Sequence, residues 1–521
     1  MKRKARNISE TALRMLLIAS ACMPQFSCTH AKQTAAMPVG TNIVETNFGK
    51  VEGMVYEGYS RYLGIPYAEA PLGELRFMPP QKPKPWEGVL KACTWPKDPV
   101  QQPYDVKKHS EDCLKLNIWV PAGIKTDAPV MVWIYGGSYA TGGTVNGSED
   151  PEQGLYNGAN LCMGTGAVVV TLNYRLNVTG FLDLRRLDRR FTCNNGLRDV
   201  VAALSWVHDN IAAFGGNPNN VTVAGESAGG AITLSLLTIP EAGQYYQKII
   251  CESSGADGYA SQRQSEELTE KWLELMGNPT ADELVNMPAD SLIARQEQLD
   301  KFVTAQRLDC TFCPVIDGQF LVCSPADSLL HTSKQLLIGW NHDEANLFIN
   351  FLPKEIVDSP EHIATALPFQ TDEERRHITA ATKGFPSKEA YEQIATERMY
   401  SIAITKVADR LSHTSSVFVY RYDYATPGAK LLGLGSCHAS ELPIVFGNIP
   451  KGYDSFCEKD VAMLTKKFHD YWHGFLHNGK PSADWPVYSI AKGRSVRIIN
   501  SEEDHNEQNP LGERLRLYGI E

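Results

Sequence analysis

Residues 221–237 read VTVAGESAGGAITLSLL. Val221 to Ala224 is a short β-branched and apolar run, the composition of a buried strand. Gly225-Glu226-Ser227-Ala228-Gly229 follows it, and Ala228 to Leu237 predicts a helix. Strand, glycine-flanked serine and helix, in that order, is the setting of a nucleophile elbow. So sharp a turn leaves no room for a Cβ at Gly225 and Gly229, and it exposes the Ser227 hydroxyl at the end of the strand. The helix N-terminus brings free N–H groups and a partial positive charge, so the Ala228 N–H is placed to stabilise an oxyanion. Taken alone, the five residues also fit an ordinary glycine-rich turn, so their surroundings decide.

Upstream, Val200, Leu204, Val207, Ile211 and Phe214 recur at intervals of three and four, which marks one face of a helix. The helix ends at Gly215, Gly216 and Pro218, just before the strand. Val130 to Tyr135 and Ala167 to Leu172 are further apolar runs, as expected of strands covered on both faces. Gln335 to Gly339 and Val417 to Tyr422 predict two more strands. Residues from about 256 to 330 and from about 350 to 410 read as mostly helical. Together these give an α/β fold: a mostly parallel central sheet with helices on both faces and helical insertions above it. No repeat or low-complexity linker divides residues 36–521, which read as a single large domain.

Several ordered segments resemble the type B carboxylesterase and cholinesterase family, whose fold is the α/β-hydrolase fold. They are Tyr62 to Ala68, Glu111 to Leu114, Asn173 to Leu176, Asn195 to Asp199, Gly225 to Gly230 (GESAGG), and Trp485 to Tyr488. The likeness runs from about Gly49 to Tyr488. It implies a serine carboxylic-ester hydrolase acting through an acyl-enzyme on small or medium esters, with no metal or organic cofactor.

Trp133-Ile134-Tyr135-Gly136-Gly137-Ser138 resembles the family's glycine-rich oxyanion loop. By that correspondence the donors are the N–H groups of Gly137, Ser138 and Ala228. Ser138 stands where the family usually has a third glycine; its N–H remains, but its side chain takes space beside the acyl group. The acid and then the histidine follow the serine in chain order in this fold. Gly339 to Glu344 resembles the segment whose glutamate completes the triad, which points to Glu344, with the adjacent Asp343 as a competitor. Ala345 replaces the family's glycine after the acid. His438 follows a predicted strand and a glycine-bearing loop, and Glu441 to Gly447 after it matches the family, which makes His438 the base. As a neutral imidazole with an ordinary value of about 6.5, it implies activity that falls on the acid side of neutrality. The resemblance also suggests a disulfide between Cys93 and Cys113.

His469, His473 and His477 lie on one face of a predicted helix, Phe468 to Leu476, and three such histidines are able to ligate a metal. No H-E-x-x-H pattern accompanies them, so the expectation is that they do not. Cys310 and Cys313 form a lone C-x-x-C, which favours a local disulfide or two packed thiols over a zinc site.

Composition narrows the alternatives. Hydrophobic residues make up 43% and charged residues 21%, as in a globular chain rather than a disordered one. The net charge of -10 leaves no basic surplus for nucleic acid. Residues 1–35 carry Lys2, Arg3, Lys4 and Arg6, then an apolar run from Met15 to Cys22, then small and polar residues. This is the layout of an export signal, too short to span a membrane. Its two possible fates are cleavage near Ala31 or a lipid anchor on Cys22 or Cys28, with the protein periplasmic, secreted or lipid-anchored. No later stretch predicts a transmembrane helix. The competing functions are a catalytically silent cholinesterase-like binding or adhesion module, and a lipase, thioesterase or peptidase on the same scaffold.

Overall fold

The computed structural model describes residues 37–254, 258–305, 311–326, 332–350, 372–384, 387–450 and 457–521. The leader, with Cys22 and Cys28, and Cys310 lie outside the described residues.

Strands β1 (Gly40–Thr46), β2 (Gly49–Tyr56), β3 (Tyr59–Pro66), β4 (Val89–Lys91) and β5 (Lys115–Pro121) come first. β6 (Ala128–Ile134), β7 (Val168–Leu172), β8 (Gly216–Glu226) and β9 (Lys248–Glu252) follow. β10 (Ala260–Ser261) and β11 (Val315–Ile316) pair separately. β12 (Gln335–Asn341), β13 (Val417–Tyr422), β14 (Ser495–Ile499) and β15 (His505–Gln508) complete the set. The main sheet runs β1-β2-β3-β5-β7-β6-β8-β9-β12-β13-β14-β15, with β4 beside β2.

From β7 to β14 every neighbouring pair is parallel. Every residue of β6, β7 and β9 is buried. Side chains alternate between faces, so full burial means that both faces are covered. The predicted helix is Asn195–Asn210, continued by a tighter turn over Ile211–Phe214 and stopped at Gly215, which has φ 84°. The helix after the serine is Ala228–Ser235. The architecture is the α/β-hydrolase fold, with β8 central between β6 and β9.

Both edges of the sheet differ from the parallel centre. β1, β2, β3, β5 and β7 pair antiparallel in succession, and β15 pairs antiparallel with β14. β1 and β2 carry little signal in the sequence because most of β1 is exposed and β2 is only intermittently buried. Neither therefore shows a long apolar run. The upper insertion is also not wholly helical. The two-residue β10–β11 pairing stands at its base, and Ser261 then caps the Gln262–Leu275 helix in a reciprocal capping box with Gln264.

Cys93 and Cys113 are not joined, which corrects the expected disulfide. Cys93 bridges Leu63 near the sheet edge, and its thiol faces the Glu52 carbonyl at 3.7 Å. Cys113 is buried, with the Asp199–Arg175 pair among its neighbours. That pair explains two of the quoted segments. Arg175 donates from Nε to Asp199 Oδ2 at 2.8 Å and from Nη2 to Oδ1 at 2.7 Å, tying the loop after β7 to the Asn195–Asn210 helix. Both side chains are buried, so removing either would leave the other as an uncompensated buried charge.

Candidate active site

Four loops leave the carboxyl ends of parallel strands and carry the site, where open α/β sheets bind ligands. The first is the turn after β8. Ser227 has φ 57° and ψ -126°, a conformation that a non-glycine residue holds only under strain. Its N–H donates to the Glu252 carbonyl at 3.0 Å, and its own carbonyl accepts from the Ala231 N–H at 2.9 Å. The two flanking glycines permit the turn. A Cβ on Gly225 would lie 2.6 Å from the Gly229 carbonyl carbon, and one on Gly229 would lie 2.1 Å from the Ile134 oxygen.

The loop after β6 reaches the same point. A Cβ on Gly136 would stand 2.7 Å from the Glu226 carbonyl oxygen and 2.9 Å from the Ser227 Cβ. Gly137, Ser138 and Tyr139 all have positive φ, at 115°, 53° and 60°. This winding is fixed by Gly137 O, which accepts from the N–H groups of Ala140 and Thr141, both at 3.0 Å. Gln101 braces the loop further, bonding Gly142 through both ends of its amide at 2.7 and 2.8 Å. Among the described residues, the N–H groups of Gly137, Ser138 and Ala228 have no acceptor. They are free for a ligand oxygen.

The loops after β12 and β13 bring Glu344 and His438 together. Glu344 is fully buried; its Oε2 lies 2.7 Å from His438 Nδ1, and its Oε1 accepts from the Asn341 N–H at 2.8 Å. The competitor Asp343 turns elsewhere. Its Oδ2 accepts from the Ser436 N–H at 2.9 Å, and its Oδ1 lies 2.8 Å from His342 Nδ1. Ala345 has φ -72°, an ordinary right-handed conformation, so glycine is not required there. Its N–H donates to Thr396 Oγ1 at 3.0 Å.

Glu226, the residue before the serine, also faces the histidine, and no motif in the sequence singles it out. It is buried, and its Oε1 lies 3.0 Å from His438 Nε2, within ion-pair distance but without hydrogen-bond alignment. Ser227 Oγ has no hydrogen-bond partner among the described residues. Burial alone would depress His438, but Glu226 first and Glu344 next outweigh it and raise the imidazole above its ordinary value. Burial raises Glu226, against the opposing pull of His438. The two groups therefore compete for a proton. Glu441 and Glu252 are also buried, and burial raises both. Glu441 accepts from Asn341 Nδ2, whereas neither oxygen of Glu252 has an aligned hydrogen bond among the described residues.

The three-histidine face lies on the Glu458–Asn478 helix. His469 Nε2 meets the Val445 carbonyl at 3.1 Å. His473 Nδ1 and His477 Nε2 share the Thr165 carbonyl at 2.8 and 3.1 Å, with their rings stacked 4.0 Å apart. One nitrogen of each ring is thus committed to the backbone, and the described residues hold no cluster of His, Cys, Asp or Glu arranged for a metal. No helix among them is long and apolar enough to cross a membrane.

Residues 40–517 match the family model described as Carboxylesterase family. The chain is 34% identical over 483 residues to para-nitrobenzyl esterase of Bacillus subtilis (strain 168), covering 88% of this chain and 95% of that one. A solved PNB esterase structure superposes with a TM-score of 0.78 at 32% identity, covering 91% of this chain and 99% of that one. A Geobacillus stearothermophilus carboxylesterase gives 0.77 at 32% identity with the same coverages.

Proposed function

On the premise that this chain belongs to the carboxylesterase family and is a carboxylesterase-type hydrolase, we propose that it cleaves small or medium carboxylic esters through an acyl-enzyme on Ser227. His438 is the general base and acid in this reading, and Glu344 fixes its tautomer. The N–H groups of Gly137, Ser138 and Ala228 receive the oxyanion. The observation that carries the reading is the 2.7 Å Glu344–His438 contact beside a strained, glycine-flanked serine.

In the first step Ser227 Oγ attacks the ester carbonyl carbon while His438 Nε2 takes its proton. Negative charge builds on the carbonyl oxygen, where the three free N–H groups are already in place and need no reorganisation. The C–O bond to the alcohol breaks as His438 returns the proton to the leaving oxygen. Water then attacks the acyl-enzyme by the same route and frees the acid. Nε2 must leave Glu226 and accept from Ser227 for this to begin. Catalytic hydrogen bonds that are unmade in a ligand-free site commonly form when substrate arrives.

Ser227→Ala tests the assignment against short p-nitrophenyl esters. The expected result is a loss of roughly 10³-fold or more in kcat. Activity within about tenfold of the parent would overturn it. An acyl-chain-length series on the parent then separates a short-chain esterase from a lipase, and thioester and amide analogues probe the remaining alternatives.

A further inference from the structure

Two aromatic rings border the His438 imidazole and take no part in the acyl transfer described above. The Tyr400 ring centroid lies 4.9 Å from that of His438, with 35° between the planes. The Phe348 centroid lies 5.4 Å away, at 45°. Both fall within the ~6 Å over which an aromatic face attracts a cation, an attraction that strengthens when water is excluded. Tyr400 is itself buried.

The backbone that presents Tyr400 is unusual. The Lys388–Thr396 helix widens into a π-helical turn over Glu397–Ser401 and resumes as Ile402–Leu411. A π-turn inserts a residue into the helical repeat and so re-aims the side chains it carries. This turn is braced on several sides. Thr396 Oγ1 accepts from Ala345 N–H, next to Glu344. Glu397 receives Arg514 Nη2 at 2.7 Å and the Tyr518 hydroxyl at 2.9 Å from the C-terminal segment. Arg398 pairs with Glu374 at 3.0 Å. Tyr400 is thus held in a fixed relation to the Glu344–His438 pair.

The geometry points to Tyr400 as a positioning residue for His438: its ring, packed 4.9 Å from the imidazole, sets the plane of that imidazole and favours the imidazolium that forms when Ser227 loses its proton. The proposal rests on the reading of His438 as the base. The charged groups around that imidazole are Glu344 at Nδ1, Glu226 at Nε2, and Glu441 from the segment that follows His438. They favour the imidazolium as well, so the ring adds a smaller increment of the same sign. The Tyr400 hydroxyl has no hydrogen-bond partner among the described residues, so ring and hydroxyl are separable by substitution.

The test is an NMR titration of the full chain carrying ¹³Cε1-labelled histidine, with the His438 signal identified by its loss in His438→Gln. Tyr400→Phe is expected to titrate as the parent does, with kcat within about twofold. Tyr400→Leu is expected to lower the His438 pKa by about 0.5 to 1. Its kcat for p-nitrophenyl acetate should fall about tenfold with KM within about threefold, the pattern of a lost transition-state contact. A Tyr400→Leu protein that titrates like the parent overturns the proposal. So does a Tyr400→Phe protein as impaired as Tyr400→Leu, since the role would then belong to the hydroxyl. Should Tyr400→Leu fail to fold, Tyr400→Met fills the volume without a π face and carries the same expectations. If His438→Gln retains parental turnover, the base assignment fails on its own, and the titration still decides whether Tyr400 tunes the imidazole.

Discussion

His438 Nε2 lies 3.0 Å from Oε1 of Glu226, the residue that immediately precedes the proposed nucleophile. In the proposed reaction, the nitrogen that accepts the serine proton therefore faces a carboxyl group. Burial disfavours a charged imidazole, yet Glu226 and then Glu344 outweigh it, so His438 holds its proton to higher pH than a free histidine. A base must be neutral, and activity appears only as pH rises through this raised value. The acid limb of kcat/KM is thus expected on the alkaline side of about 6.5, above the position that the sequence alone suggests. Glu226→Gln removes the strongest of the influences that raise the imidazole and should move the limb toward acid by about one pH unit or more. A pH–rate profile of both proteins for a p-nitrophenyl ester makes the comparison; an unmoved limb would count against the Glu226 contact.

Glu344 and Asp343 are adjacent but serve different partners, so their amide variants should part company. Glu344→Gln leaves the shape of the site and removes the charge that stabilises the imidazolium. It is expected to cost about 10²–10⁴ in kcat. Asp343→Asn weakens a contact to the Ser436 N–H, which supports the His438 loop at a distance. Its expected cost is tenfold or less in kcat, with a loss of about 1–2 kcal/mol in stability. Steady-state kinetics and chemical unfolding of the pair check this, and equal kinetic losses would contradict it.

Ser138 has φ 53°, a left-handed conformation that costs a residue with a Cβ about 1–2 kcal/mol. Ser138→Gly should release this strain. After the extra freedom glycine gives the unfolded chain is deducted, a net gain of about 0.5–1 kcal/mol is expected. The N–H donor survives, so acetate ester turnover should stay within about fivefold. Branched acyl esters should gain relative to acetate, because the hydroxymethyl group no longer stands beside the acyl carbon. Unfolding midpoints and a matched pair of acyl substrates measure both effects.

Glu252 is fully buried, and burial, Glu441 and Glu226 all raise its pKa. A carboxyl group whose folded value lies above its unfolded value weakens the fold as pH rises beyond the unfolded value, because the unfolded chain ionises more readily. Glu252→Gln should therefore be close to neutral near pH 4 and stabilising at alkaline pH, by an amount on the order of 1–3 kcal/mol. Melting temperatures across pH test the sign. A benefit confined to acid pH would reverse the argument.

Cys93 and Cys113 should behave differently toward a small alkylating reagent. Cys93 is partly exposed and Cys113 is buried. In the native protein Cys93 should label and Cys113 should not, with both labelling after unfolding without reductant. Intact mass spectrometry reads the result, and a mass two daltons low with neither site alkylated would restore the disulfide.

The strand β8, the elbow and the Ala228–Ser235 helix were legible because residues adjacent in the chain mark them. A β-branched run, a glycine-flanked serine and an apolar helix mark the turn in the chain, although the space denied to a Cβ at Gly229 is taken by the Ile134 and Tyr135 carbonyls at the end of β6. The same holds for β13, observed over the predicted residues Val417–Tyr422. Chain order and likeness to a family then supplied Glu344 and His438. The outermost antiparallel strands β1 and β2 were not legible, because exposed edge strands carry no continuous apolar signal.

What the sequence determined by itself, then, is a glycine-flanked serine between a strand and a helix and the parallel strands around it, all marked by residue type and apolar runs. Tertiary structure alone decided that Glu344 and not Asp343 meets His438, that Ala345 is tolerated after the acid, and that Glu226 faces the imidazole from its far side. Those outcomes depend on how loops from β8, β12 and β13 converge. Direction and burial, unlike residue type, are fixed only when distant segments share one low-dielectric space.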